Sequence, residues 1–515
     1  MGLIDSLPWG NPWFTAAVVL AALAIGYRLC KPRSTLPVPK CSVPLFGATF
    51  TYMRYVKERR TFKFVLEQQR ELGPLYNLNI FGLHAPILAD PREARRMLTD
   101  TDAFYRCDDL ANASADVSKY SLFMLPSGAL WKHHRKLITP AFSPSNVRKI
   151  FPASIHYGDK MMAIWAEKIA KNPNATVDLH DCFQRATLDI IGDVALGGHQ
   201  FDCLDALRAT GPVEGHMFEG FEQLISAVGN RFGLPEYLWG LVGGKRSSIA
   251  APAAAVQELA RAMIDKRQRE IDDEIKAGVV RDKKDYDVMD RILIPNADRE
   301  LLSKDEIVDE VIGFVLAGHE TSSNTATFAM WHLMQNPHTM QTLYDEICRV
   351  VGPRGKPTAE MLMEMPYLDA VFKESIRLKS PVPVVQRTTV RPTLVCGHLL
   401  GAEAKVLINI AAIQRDPNLW GPNCDEFVPE RWEDKVRMTE LETMGAYMPF
   451  GGGPMMCIGM RLAIPEVKIL VIRFLQHFEP SLRPGQDFTW TVDGLTCGFR
   501  QGVHTHLRMR SEMFQ

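Results

Sequence analysis

The chain is most informative first for what it lacks. Its ten cysteines stand at positions 30, 41, 107, 182, 203, 348, 396, 424, 457 and 497. None lies within four residues of another, which excludes zinc ribbons and CxxC redox sites. A disulfide framework does not suit so large a chain without a removable secretory signal. An excess of one charge is missing too: the formal net charge is −1, so no nucleic-acid partner is expected. There is no internal repeat, no low-complexity block and no recurring βαβ alternation. A nucleotide-binding doubly wound fold is thereby excluded.

What is present describes a globular protein with a large core, since 46% of the 515 residues are hydrophobic and 23% charged. Near the start, residues 7–27 form an uncharged run of the length that crosses a bilayer as a helix. Pro8, Gly10 and Pro12 place the start of the continuous helix near Trp13. Asp5 precedes the run and Arg28, Lys31, Arg33 and Lys40 follow it, which orients the remainder to the cytoplasmic side. Prolines at 32, 37, 39 and 44 then favour an extended, semi-rigid hinge. The expected division is an anchor over 1–31, a hinge over 32–50 and one catalytic domain over 51–515, held as a single-pass protein at the endoplasmic reticulum membrane.

Within that domain helices dominate, for example at 181–196 and 249–277, and short strands are expected at 75–80, 85–89, 384–390 and 405–410. The pattern predicts a mainly α fold with a small β-rich subdomain. The charge-dense stretch 267–291 reads as a solvated helix end and a surface loop. The longest helix follows a capping-box pattern at Ser303 and Glu306 and stops at Asn336-Pro337. It would run about 45 Å and must cross the whole domain. It is apolar on several sides, yet Gly318, His319, Glu320, Thr321, Ser322 and Ser323 occupy its middle. Buried polar groups are costly unless satisfied, so this cluster needs a reason.

Three further patterns join it. Glu374 and Arg377 stand at i, i+3 on one helix face, followed by Pro429-Glu430-Arg431-Trp432. Trp131 and Arg135 stand at i, i+4 in "LWKHHRK". Last, "MPFGGGPMMCIGMRLA" brings a nearly side-chain-free loop to Cys457 and then a helix. In this order, from anchor to C-terminus, the chain resembles the cytochrome P450 family of haem-thiolate monooxygenases, in its eukaryotic membrane-bound form.

The resemblance implies haem b as cofactor, with Cys457 as axial thiolate pushing electron density into the iron. Gly453 and its neighbouring glycines would keep the loop flat beneath the porphyrin, and Phe450 would shield the sulfur. Ala317 and Gly318 would let the long helix approach the ring, while Glu320 and Thr321 deliver protons to the dioxygen being reduced. Many relatives with covalently bound haem carry glutamate where this chain has Ala317, so a non-covalent haem is implied. Trp131, Arg135 and Arg387 would hold the propionates, where arginine's planar fork grips carboxylates. At Met455 the family usually has a basic residue on a propionate, so looser haem is expected, and Pro465 is expected to kink the helix after Cys457.

The chain carries no flavin or nicotinamide fingerprint, so its electrons would come from an NADPH-cytochrome reductase, with cytochrome b5 as a further partner. Lys132, Arg135, Lys136, Arg148, Lys149, Arg461 and Lys468 would form the basic docking patch. The substrate would be a lipophilic small molecule of steroid, fatty-acid or terpenoid type. It would line up with residues 105–125, 381–387 and 495–499, and arrive past the apolar loop 232–244 at the membrane interface. The alternatives are a haem-thiolate isomerase or dehydratase acting on peroxides, and a non-catalytic membrane haem carrier. The Glu320-Thr321 pair speaks against both.

Overall fold

The computed structural model describes residues 35–510 apart from 44–45, 59, 81, 209–215, 242–243, 295–301, 494 and 500. The anchor expected over 1–31 lies outside the described residues, and among those described no helix is long and apolar enough to cross a membrane.

Helices make most of the fold. Those that position the site are α1 (Pro91–Thr99), α2 (Ala129–Ile138), α3 (Ile150–Lys171), α4 (Leu179–Ala195), α5 (Arg246–Lys276), α6 (Lys304–Gln335), α7 (Pro366–Leu378) and α8 (Met460–His477). The α6 boundary falls where the sequence placed it. Ser303 Oγ accepts from the Glu306 amide and Glu306 Oε2 accepts from the Ser303 amide at 2.7 Å, closing the capping box. The α8 helix runs as one element through Pro465.

The main sheet has five strands. They are β1 (Leu75–Ile80), β2 (Leu83–Leu88), β3 (Phe104–Tyr105), β4 (Val384–Thr389) and β5 (Lys405–Asn409), in the order β1-β2-β5-β4-β3. Only the β2–β5 pair is parallel. A separate hairpin joins β6 (Trp490–Asp493) to β7 (Thr496–Phe499). The helical core and the sheet each bury their own apolar cluster, with α6, α4 and α8 at the centre of the first and β2, β5 and α1 in the second.

Two readings of surface chemistry need correction. The stretch 267–291 is no plain solvated surface. Arg267 Nη2 and Arg281 Nη1 both reach the buried Asp290, at 2.8 and 2.6 Å. In the loop 232–244, Tyr237 is 80% exposed, but Trp239 is 5% exposed and packed beneath Arg231. Only its tyrosine presents an aromatic ring outward.

Candidate active site

The glycine-rich loop folds back on itself, because the Cys457 amide donates to the Phe450 carbonyl at 3.0 Å. That bond sets Cys457 just before α8, at a helix N-terminus whose amides face outward. The thiol combines two properties. Burial raises its pKa, while the N–H groups of Gly459 and Met460 and the Arg135 guanidinium pull it down. Yet the cysteine is open to a water-sized probe. Burial outweighs that pull and leaves the thiol raised overall, while the two amides and the guanidinium are the groups that would stabilise a thiolate there.

The loop is bare for a reason the sequence did not show. Gly453 has φ +66° and a Cβ there would lie 1.9 Å from the Leu98 carbonyl oxygen. The α1 backbone thus requires glycine at 453 on this side of the loop. At Gly318 a Cβ would lie 2.8 Å from Ile191 Cγ1, so the glycine also allows the close packing of α4 on α6.

From Glu310 to Met330 every residue of α6 is buried except Ala317, Gly318, Glu320 and Thr321, so the helix opens only there. The backbone is perturbed at the same place. Thr321 Oγ1 donates to the Ala317 carbonyl at 2.8 Å, and Thr187 Oγ1 from α4 donates to the His319 carbonyl at 2.9 Å. Such bonds compete with the helical ladder and loosen it. Glu320 Oε1 accepts from Thr496 Oγ1 on β7 at 2.6 Å.

Three guanidiniums converge on the site without a carboxylate among the described residues. Arg387, on β4, donates from Nη1 to the Gln386 carbonyl at 2.8 Å. Arg135, on α2, donates from Nη2 to the Met456 carbonyl at 3.0 Å. Arg106, which sequence reasoning missed, donates from Nη1 and Nη2 to the Phe123 and Leu122 carbonyls at 3.1 Å each, and its buried Nε has no partner. The β3–β4 pairing of Phe104 with Thr389 and Tyr105 with Thr388 carries Arg106 beside Arg387. Burial, then repulsion from Arg387, pushes the Arg106 pKa down to about 9, and burial takes Arg387 to about 10. Trp131, buried on α2, makes no hydrogen bond through its indole among the described residues. No spacing rule links residue 106 to residue 387, which is why only the strand register exposes the pair.

Two further buried acids escaped the sequence reading. Glu310 accepts from the Leu122 amide at 2.9 Å and from His134 Nδ1 at 2.6 Å, and burial raises its pKa to about 7. It ties α2, with its Trp131 and Arg135, to α6. Glu466 on α8 accepts from Ser322 Oγ at 2.7 Å, and burial raises it to about 8. The Glu374–Arg377 pair closes into a network with the segment 429–432. Arg377 Nε and Nη2 donate to its two oxygens at 2.8 and 2.7 Å, Arg431 Nε donates at 2.8 Å and Trp432 Nε1 at 3.0 Å.

The expected basic patch is thinner than it looked. Lys468 is buried and bound to Asp369 at 2.8 Å, and Lys149 donates to the Asp285 carbonyl at 2.8 Å. Lys132, Lys136, Arg148, Lys149 and Arg461 remain exposed. A surface hollow of about 470 Å³ lies among Trp131, Lys132, Arg135, Lys136, Thr139 and Pro140.

This arrangement is that of a haem-thiolate enzyme, and comparison with known proteins agrees. The cytochrome P450 family profile matches residues 36–499. The chain is similar to the cytochrome P450 CYP13A3 of Caenorhabditis elegans, 26% identical over 91% of this chain and 92% of that one. It is also similar to cytochrome P450 734A1 of Arabidopsis thaliana, 26% identical over 82% of this chain and 76% of that one. A bifunctional cytochrome P450/NADPH–P450 reductase of Aspergillus oryzae is 27% identical over 79% of this chain and 36% of its own length. The chain belongs to the cytochrome P450 family. It is a monooxygenase, and the family binds haem through a cysteine thiolate. The residues present fit that cofactor: an exposed sulfur with amides aimed at it, a middle stretch of α6 open at four residues, and three desolvated guanidiniums without acids among the described residues.

Proposed function

We propose that this chain is a membrane-anchored monooxygenase that inserts one oxygen atom of dioxygen into a lipophilic substrate of steroid, fatty-acid or terpenoid type, with electrons from a separate NADPH-dependent reductase. Cys457 would ligate the haem iron in this reading. The observation that carries it is the exposed Cys457 between the glycine loop and the α8 N-terminus, with the Gly459 and Met460 amides and the Arg135 guanidinium opposing the rise that burial gives its thiol. When bound, the haem supplies the binding of dioxygen and the oxidising power.

The protein's own groups do the rest. Arg106, Arg135 and Arg387 would hold the two propionates, and Trp131 would add an indole N–H. Arg106 takes the place of the basic residue that Met455 lacks. Ser127 supports this exchange, since its Oγ accepts from the Arg106 amide at 2.9 Å and reaches Met455 Sδ at 3.9 Å. Glu320 and Thr321, adjacent on α6 at its partly open stretch, would pass protons toward the bound haem. Residues 1–31 serve as the membrane anchor at the endoplasmic reticulum, 32–50 as hinge and 51–515 as the catalytic domain. The exposed Lys132, Lys136, Arg148 and Arg461 steer the acidic reductase, with cytochrome b5 as a second donor.

The test is the absorption spectrum of the reduced, carbon-monoxide-bound protein beside that of Cys457→His, together with the dependence of turnover on NADPH and reductase. A thiolate spectrum lost in the variant and reductase-dependent product formation are expected. A thiolate spectrum that survives Cys457→His would remove Cys457 as ligand. Turnover of peroxides without reductase would replace the monooxygenase reading with an isomerase or dehydratase.

A further inference from the structure

The β6–β7 hairpin lies along one stripe of α6. Phe499 on β7 meets Phe328 edge to face, with ring centroids 5.2 Å apart. A Cβ at Gly498 would lie 3.0 Å from Asn324 Oδ1, so the strand presses closely on the helix there. Thr496, buried at the start of β7, donates from Oγ1 to Glu320 Oε1 at 2.6 Å. Residues 320, 324 and 328 stand at i, i+4 and i+8 on α6, so successive turns of the helix receive one strand.

The hairpin is fastened from several sides. The Cys497 amide donates to the Pro381 carbonyl at 2.8 Å. Phe499 also meets Trp331, and Trp490 on β6 meets Phe62, with centroids 5.2 and 4.3 Å apart. Asp493 pairs with Thr496, so the threonine sits in the last pair before the turn. Its partner is different in kind. Glu320 is one of the four residues at which the middle of α6 opens, and a glutamate carries its carboxyl on three rotatable bonds. A β-branched threonine is stiff, so a hydroxyl on this strand offers that carboxyl a fixed point.

We propose that Thr496 is a positioning residue for proton delivery: its hydroxyl holds the Glu320 carboxyl in the orientation that passes protons on. The inference rests on the proposed role of Glu320. A donor on one carboxyl oxygen fixes the plane of the whole group, whether or not the group carries a proton. Proton transfer needs donor and acceptor within hydrogen-bond reach, so an acid that swings away transfers less often. The same strand carries residues 495–499, the segment expected beside the substrate. The hairpin thus joins the substrate's seat to the acid through one hydroxyl.

The test is infrared spectroscopy of the ferric holoenzyme, with the Glu320 carboxyl band assigned by its loss in Glu320→Gln. This readout needs neither substrate nor turnover. Thr496→Val keeps the shape and loses the hydroxyl, so it should shift the band, and Thr496→Ser should restore it. The second readout is the ratio of peroxide to water released when reductase and NADPH reduce dioxygen without added substrate. One lost hydrogen bond should raise that ratio about two- to tenfold in Thr496→Val. Thr496→Ser should return it to the wild-type value. Added to Glu320→Gln, Thr496→Val should change the ratio no further, because both act at one carboxyl. Should Thr496→Val fail to load haem, Thr496→Ala is read in its place. An unmoved band overturns the proposal, and so does a wild-type ratio in Thr496→Val while Glu320→Gln raises it. If Glu320→Gln itself leaves the ratio unchanged, the role of Glu320 falls and the proposal with it, and a shifted band then shows that the contact was not at fault.

Discussion

Two arginine-rich regions of this molecule are built on opposite principles. Around Glu374 the protein satisfies itself. One buried carboxylate accepts from Arg377, Arg431, Trp432 and the Val428 amide, and Arg377 spends its remaining Nη1 donor on the Gln414 and Cys424 carbonyls, both at 2.7 Å. Around Arg106, Arg135 and Arg387 the protein supplies carbonyls and withholds carboxylates, leaving positive charge desolvated and uncompensated. A completed network holds a fold together. An uncompleted one is a binding site whose missing half arrives with the ligand.

The largest effect is expected from breaking the completed network. Glu374→Ala strands two buried guanidiniums and should cost about 3–5 kcal/mol of folding stability, with or without haem. Thermal unfolding of both forms measures it, and a loss confined to the haem-loaded protein would mean that this network too serves the cofactor.

The uncompleted cluster should respond in the opposite sense. Arg106→Ala and Arg387→Ala each remove a charge-assisted bond of about 1.5–3 kcal/mol, and haem retention should fall about ten- to a hundredfold. The haem-free protein should unfold no more easily than wild type, since a buried unpaired charge has been removed. Transfer of haem to an acceptor protein, followed beside unfolding of the apoprotein, separates the two. Equal destabilisation of the apoprotein would return Arg106 to a structural role.

Met455→Arg should matter less than either. With Arg106 in place, haem loss should slow by less than about threefold. A tenfold slowing in the same transfer assay would show that Arg106 leaves that propionate unheld.

The smallest effect is a slope. Burial holds the Glu466 pKa at about 8 against an ordinary 4.5. The folded protein therefore binds more protons than the unfolded chain between those values, and stability falls as pH rises from about 5 to 8, by at most about 1.4 kcal/mol per pH unit. Glu466→Gln mimics the protonated acid and still accepts from Ser322. Urea unfolding at several pH values should show a flatter dependence for this variant, and an unchanged slope would assign the proton to another group.

Much of the architecture could be read directly. The strand at 75–80 coincides with β1, and α6 begins after Ser303 and ends before Asn336, because capping chemistry is local and marks its own place. The Glu374–Arg377 pair was legible for the same reason: residues at i, i+3 share a helix face whatever surrounds them. Cys457 stood out as the one cysteine placed between a glycine turn and a helix. These are features that a few consecutive residues settle among themselves.

What escaped depended on distant backbone coming together. The glycine at 453 has a second reason to be glycine, the Leu98 carbonyl packed against it. Lys468 reads as a surface charge until Asp369 meets it, and Lys379 as an ordinary lysine until four aromatic rings close around it. Arg106 acquires its meaning from the register of β3 on β4. By itself the sequence determined where helices start, which sulfur stands alone and which pairs share a face, since these rest on local geometry. Only the tertiary structure decided which charges find partners and which remain uncompensated, because burial and field depend on every segment packed around a group.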